Sequence, residues 1–154
     1  MASRTIQMIL ADDDKDDCYL FEEALNELQL STQLTTVPDG EQLLELLTEK
    51  IEELPDVIFL DLNMPVRNGM ECLSEMKKNE RFKKLCVIIF STSYIQEITD
   101  LLYKKGAMHY IKKPGNFAEL RELIRKAVTI INGSKSADPD GDCKQPIESK
   151  FVLS

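Results

Sequence analysis

Short apolar runs alternate along this chain with stretches whose apolar residues recur at helical spacing. Ile6 to Ala11 predicts a first strand, and it ends abruptly in Asp12-Asp13-Asp14. Phe21, Leu25 and Leu28 then mark an amphipathic helix, with Asp16 or Asp17 as its N-terminal cap. Leu34 to Val37 is a short β-prone stretch suited to a place near the sheet edge. Pro38-Asp39-Gly40 is turn chemistry, and Leu43, Leu44, Leu47 and Ile51 continue as a second helix. Val57-Ile58-Phe59-Leu60 reads as a strand buried on both faces, ending in Asp61 before Pro65 stops any ladder. Arg67-Asn68-Gly69 turns the chain into a third helix carrying Met70, Leu73 and Met76. Leu85 to Phe90 is the next strand and leads into Ser91-Thr92-Ser93. Ser93 and Gln96 have the spacing of a capping box for a fourth helix, which Gly106 stops. Met108 to Ile111 is a last strand before Lys112-Lys113-Pro114. A final helix is capped by Asn116, with Glu119 at the matching position. It carries Leu120, Leu123, Ile124 and Val128, and Gly133 closes it.

Strand and helix thus alternate five times, which predicts an α/β fold: a doubly wound parallel sheet with helices on both faces. Right-handed crossovers bring the C-terminal ends of the strands to one edge, where open α/β sheets bind ligands. The expected domain spans residues 4–132. Residues 133–154, rich in Ser, Lys, Asp, Pro and Gly, are expected to be a disordered tail that adds nothing to the core, although Phe151-Val152-Leu153 is apolar.

Composition narrows the function. A net charge of −8 argues against a nucleic-acid-binding surface. No apolar stretch is long enough to span a membrane, and the N-terminus lacks the succession of a secretion signal. Cys18, Cys72, Cys86 and Cys143 are scattered, and with one histidine they do not suggest zinc. The expectation is four free thiols in a reducing, cytoplasmic setting.

The strand exits carry the candidate chemistry. The first delivers Asp12 and Asp13, the third Asp61, the fourth Ser91 and Thr92, and the fifth Lys113. Each alone is common as a cap, a turn residue or a surface charge. Together at one edge, the carboxylates would repel and raise one another's pKa values. A hard divalent cation relieves that repulsion, and magnesium suits a site with few carboxylates. A lysine and a hydroxyl beside them can hold a phosphoryl group, with a carboxylate as nucleophile.

The acidic pair after strand one, Leu60-Asp61-Leu62-Asn63-Met64-Pro65, Ser91-Thr92 and Lys113-Pro114 together resemble the response-regulator receiver domain of two-component signalling. The resemblance covers about residues 4 to 132. It implies a flavodoxin-like (βα)5 fold with strand order 2-1-3-4-5, for which a chemotaxis receiver is a known example. It implies Asp61 as phosphoacceptor and Mg2+ held by Asp13 directly, by Asp12 mainly through water, by Asp61, and by the backbone carbonyl of Asn63. Lys113 would pair with phosphoryl oxygens, and the Lys113–Pro114 bond would be cis. Ser91 would be the switch hydroxyl, with Thr92 in the adjoining small-residue position. Tyr110 would be the aromatic that changes rotamer with Ser91, and Asn63 and Ser93 would tune phosphate lifetime.

The implied partners are a sensor histidine kinase or phosphotransfer protein as donor and a downstream protein target. A stand-alone receiver would signal by docking, and a homodimer through the helix 4–strand 5–helix 5 face fits the family. Two other readings compete. A magnesium-dependent, aspartate-nucleophile phosphohydrolase would need an acid/base two residues after Asp61, where Asn63 stands. A phosphate-independent receiver-like module would not need the full set of Asp12, Asp13, Asp61, Ser91 and Lys113.

Overall fold

The structure, a computed structural model, describes residues 5–137 and 143–154, with the backbone alone for 135–137. Arg4, the expected domain start, and residues 138–142 of the expected tail lie outside the described residues. The strands are β1 (Ile6–Ala11), β2 (Thr32–Val37), β3 (Val57–Leu60), β4 (Val87–Ser91) and β5 (His109–Lys112). They form one parallel sheet in the order β2-β1-β3-β4-β5, as expected. The helices are α1 (Lys15–Leu28), α2 (Gly40–Glu45), α3 (Gly69–Lys78), α4 (Gln96–Lys104) and α5 (Phe117–Ala137). A π-helical turn, Leu46–Lys50, follows α2.

The period of two in a strand explains the two-faced core. On β3, Val57 and Phe59 face α1 and α5, while Ile58 and Leu60 face the opposite layer. Phe21 of α1 anchors the first layer, edge-on to Phe59 at 4.9 Å and to Phe90 at 5.5 Å. Leu43, Leu73, Met76 and Leu102 fill the second layer from α2, α3 and α4. Each such buried side chain contributes about 1.5–3 kcal/mol against unfolding.

Caps set where the helices begin. Asp14 caps α1 and accepts from the N–H groups of Asp16 and Asp17, which occupy the first turn. Asn68 and Glu71 form a reciprocal capping box on α3. Asn116 accepts from the Glu119 N–H at 2.8 Å, as its spacing predicts. Ser93 does not cap α4. That helix starts at Gln96 behind Ile95, and Gln96 instead accepts from Tyr94 and donates to Asp100.

Three expectations are corrected. First, α5 continues through Gly133 to Ala137, and residues 143–154 return to the domain instead of lying loose. Phe151 is 2% exposed in the α4-side core, and Val152 bridges Tyr110 beside β5. Burial of Phe151, with Val152 and Leu153 half-buried beside it, outweighs the polar composition around them. Second, Cys86 and Cys143 form a disulfide, because the returning tail brings their Cα atoms to 5.2 Å, within bonding range. Cys18 and Cys72 remain thiols, both pushed up to about 11 by burial. Third, the Lys113–Pro114 bond is trans. The trans isomer is the lower-energy form of an X–Pro bond, and the contacts of Lys113 are made without leaving it.

Phe151→Ala should lower the unfolding free energy by about 3 kcal/mol, as expected for emptying a buried aromatic site. Urea titration of the full chain measures this. A change near zero would return the tail to the status of a loose appendage.

Candidate functional site

Backbone hydrogen bonds run one residue past the strand ends and pin the chemistry there. Asp12 N–H donates to the Val37 carbonyl at 3.0 Å, Asp61 N–H to the Ala11 carbonyl at 3.0 Å, and Lys113 N–H to the Ser91 carbonyl at 2.8 Å. The sheet ladders therefore set the spacing of these side chains. Gly69 tightens the same edge. A Cβ there would lie 2.3 Å from the Asp61 carbonyl oxygen, so only glycine lets α3 start this close to β3. The intervening loop turns sharply: Arg67 N–H donates to the Pro65 carbonyl at 2.7 Å, and Val66 takes a positive φ of 67°.

Asp12 and Asp61 are buried, at 2% and 5% exposure, and Asp13 is exposed beside them. One carboxylate oxygen from each lies within 4.8 Å of the others. Burial pushes Asp12 up to about 6, opposed chiefly by its hydrogen bond from Lys113, and the Asp61 charge adds a smaller upward push. The expected carboxylate repulsion is present but is outweighed by desolvation. Hard oxygen donors at this spacing, two of them costly to keep ionised and dry, fit a divalent cation.

Lys113 is the counter-charge. Its Nζ donates to Asp12 Oδ2 at 2.7 Å and to Asp17 Oδ2 at 2.8 Å, and lies 3.6 Å from Asp61 Oδ2. The Phe90 ring sits 5.3 Å from the same nitrogen. Burial alone would lower the Lys113 pKa, but the Asp12 and Asp17 hydrogen bonds and the charges of Asp12 and Asp61 carry it above the ordinary lysine value. Asp17 was expected only as a cap. Its signal was positional: an Asp in the first turn of a helix that begins beside the strand exits.

Ser91 is fully buried at the end of β4, with its Oγ accepting from the Ser93 N–H at 3.4 Å, whereas Thr92 is exposed. Asn63 and Ser93 meet across the mouth, Nδ2 to Oγ at 3.4 Å. Tyr110 is already inside, its ring edge-on to Tyr94 at 5.7 Å and its hydroxyl donating to the Ser93 carbonyl. Its hydroxyl also interacts with that of Ser91, and burial raises its pKa. His109 is buried with a lowered pKa, caused by desolvation, and its Nδ1 pairs with the Phe151 carbonyl at 2.9 Å, a structural place. No helix among the described residues is long and apolar enough to cross a membrane.

Residues 8–125 match the model of the response regulator receiver domain. The chain is 28% identical over 122 residues to response regulator Rcp1 of Synechocystis, covering 77% of this chain and 83% of that protein. It is 32% identical over 120 residues to the DNA-binding transcriptional regulator NtrC of Klebsiella pneumoniae, but spans only 24% of that protein. Among solved structures, the phosphorylated cyanobacterial phytochrome response regulator RcpA matches with a TM-score of 0.72 and 27% identity, over 92% of this chain and 100% of that one. The Mn2+-bound form of Rcp1 matches with a TM-score of 0.69 and 26% identity, over 92% of this chain and 99% of that one. With its sheet order, its acidic edge and this match across most of its length, the chain belongs to the family of response regulator receiver domains.

Proposed function

We propose that this chain is a phosphorylation-dependent signalling switch. Asp61 takes a phosphoryl group from a sensor histidine kinase or phosphotransfer protein, and the phosphorylated form signals by docking to another protein. The observation that carries this is the placement of Asp61 at the exit of the central strand, grouped with Asp12 and Asp13 and 3.6 Å from the Lys113 ammonium. In the transfer, an Asp61 oxygen attacks the phosphorus and forms an acyl phosphate. The P–N bond to the donor imidazole breaks, and that nitrogen keeps the electron pair and takes a proton. Lys113 offsets the incoming charge of about −1.5 to −2.

Asp12, Asp13, Asp61 and the Asn63 carbonyl are the residues that would hold Mg2+, a choice supported by the Mn2+-bound Rcp1 relative. When bound, the cation neutralises charge on the phosphoryl oxygens. Buried Ser91 is the hydroxyl that turns to the phosphoryl group, and exposed Thr92 keeps the adjoining loop position. Because Tyr110 is already buried, phosphorylation fixes it inward instead of drawing it in. The α4–β5–α5 surface is then biased toward the arrangement a partner reads. The chemistry is confined to uptake and loss of this one phosphoryl group, so the chain is not an enzyme toward a second substrate. A cytoplasmic setting, where kinase donors act, completes the reading.

Incubation with acetyl phosphate and Mg2+ should add one phosphoryl group by intact-protein mass spectrometry, lost with chelator and in Asp61→Asn. Uptake unchanged in Asp61→Asn would refute the assignment. Asp17 holds one of the three Lys113 N–H groups, and a partly exposed pair of this kind is coupled by up to about 1 kcal/mol. Asp17→Asn weakens the hold on that donor by removing a charge, so uptake should quicken by up to about fivefold. An unchanged or slower rate would leave Asp17 a helix-end residue without a part in the transfer.

A further inference from the structure

In the order β2-β1-β3-β4-β5 the fifth strand is an edge, and an uncovered edge offers its N–H and C=O groups to any extended chain. Here the chain's own C-terminus covers it. Tyr110 N–H donates to the Phe151 carbonyl at 3.1 Å, and Leu153 N–H donates to the Tyr110 carbonyl at 2.9 Å. Val152 sits opposite Tyr110 in parallel register. Phe151 is buried against the Tyr103 ring of α4, 5.2 Å between centroids. Upstream, Gln145 donates to the carbonyls of Tyr103 and Ala107, and Tyr103 Oη donates to the Pro146 carbonyl at 2.7 Å.

We propose that the β5 edge is a docking site for an extended peptide strand bearing an aromatic side chain, and that Phe151-Val152-Leu153 is its built-in occupant, a cover that a strand-bearing protein partner must displace. Recognition here combines main-chain pairing with one side-chain pocket, which is the pattern of strand addition to a sheet edge. The paired stretch is a single bridge with two ladder hydrogen bonds, so exchange of the strand itself breaks little main-chain pairing. An open groove of about 350 Å³ remains between α4 and the tail, lined by Tyr94, Thr99, Tyr103 and Phe151 among others. It gives an incoming strand a place to begin. The covered residue is Tyr110, whose side chain reaches Ser93 at the mouth of the acidic site, so cover and site share one residue. The strand site stands whether or not Asp61 accepts phosphate.

The test uses the full chain and a fluorescein-labelled synthetic peptide of residues 144–154. Two variants open the edge. Phe151→Ala empties the pocket, and Leu153→Pro deletes one ladder N–H while keeping the buried aromatic, so it preserves the fold if the first does not. Fluorescence anisotropy should show the peptide binding the opened variants at least about tenfold more tightly than the wild type, because the tethered tail competes at high effective concentration. The same peptide with alanine in place of Phe151 should not bind. By hydrogen exchange, the Tyr110 amide should be protected in the wild type, lose that protection in Leu153→Pro, and regain it with excess peptide. Equal peptide affinity for wild type and variants, or a Tyr110 amide indifferent to the variants and to peptide, would overturn the proposal.

Discussion

One ammonium keeps the acidic edge of this sheet foldable. Asp12 and Asp61 are taken out of water with Asp13 close by, and carboxylates in that position are costly unless paired. Lys113 supplies the pairing from the far side of the sheet, across β4, touching Asp12 and Asp17 and approaching Asp61. Removing one partner of such a buried pair typically costs about 3–5 kcal/mol. The strand order follows in part from this need. Only a topology that ends β1, β3 and β5 on one side brings the four groups together, and the right-handed crossovers provide it. Burial still holds Asp12 above the usual carboxylate range despite that pairing. The three carboxylates remain grouped at a spacing that fits a divalent cation.

How far the sequence carried the fold can be judged at particular positions. Runs such as Val57 to Leu60 are apolar on both faces and stop at a carboxylate, so the central strand and Asp61 were legible together. Asn116 announced its helix through a local hydrogen bond that depends only on spacing, whereas the equal spacing of Asn68 and Glu71 went unread. Ser93 had that spacing too, but the residue-91-to-95 loop is shaped by the acidic site, where Ser93 meets Asn63 and Tyr110, and the helix starts later. Asp17 escaped because its partner lies 96 residues away, and no local period reports such a pair. The tail escaped for the same reason. Its composition is that of a loose segment, and the three apolar residues that contradict it become informative only once β5 is known to be an edge strand.

β5 joins the two features that the chain's chemistry rests on. Tyr110 meets the tail through its backbone and the Ser93 loop through its side chain, and three residues later Lys113 meets the carboxylates. A strand is stiff along its length, so a change of partner at one of these points is not absorbed before the next. Phe151 also shares its apolar layer with Tyr110 and Leu102. Closely packed interiors have discrete arrangements, not a continuum. In the structure a docked tail and an inward Tyr110 occur together, the tail held by the Tyr110 backbone. A protein that captures this edge would thereby favour one state of the acidic site, and by thermodynamic reciprocity a group bound at the acidic site would alter the affinity of the edge.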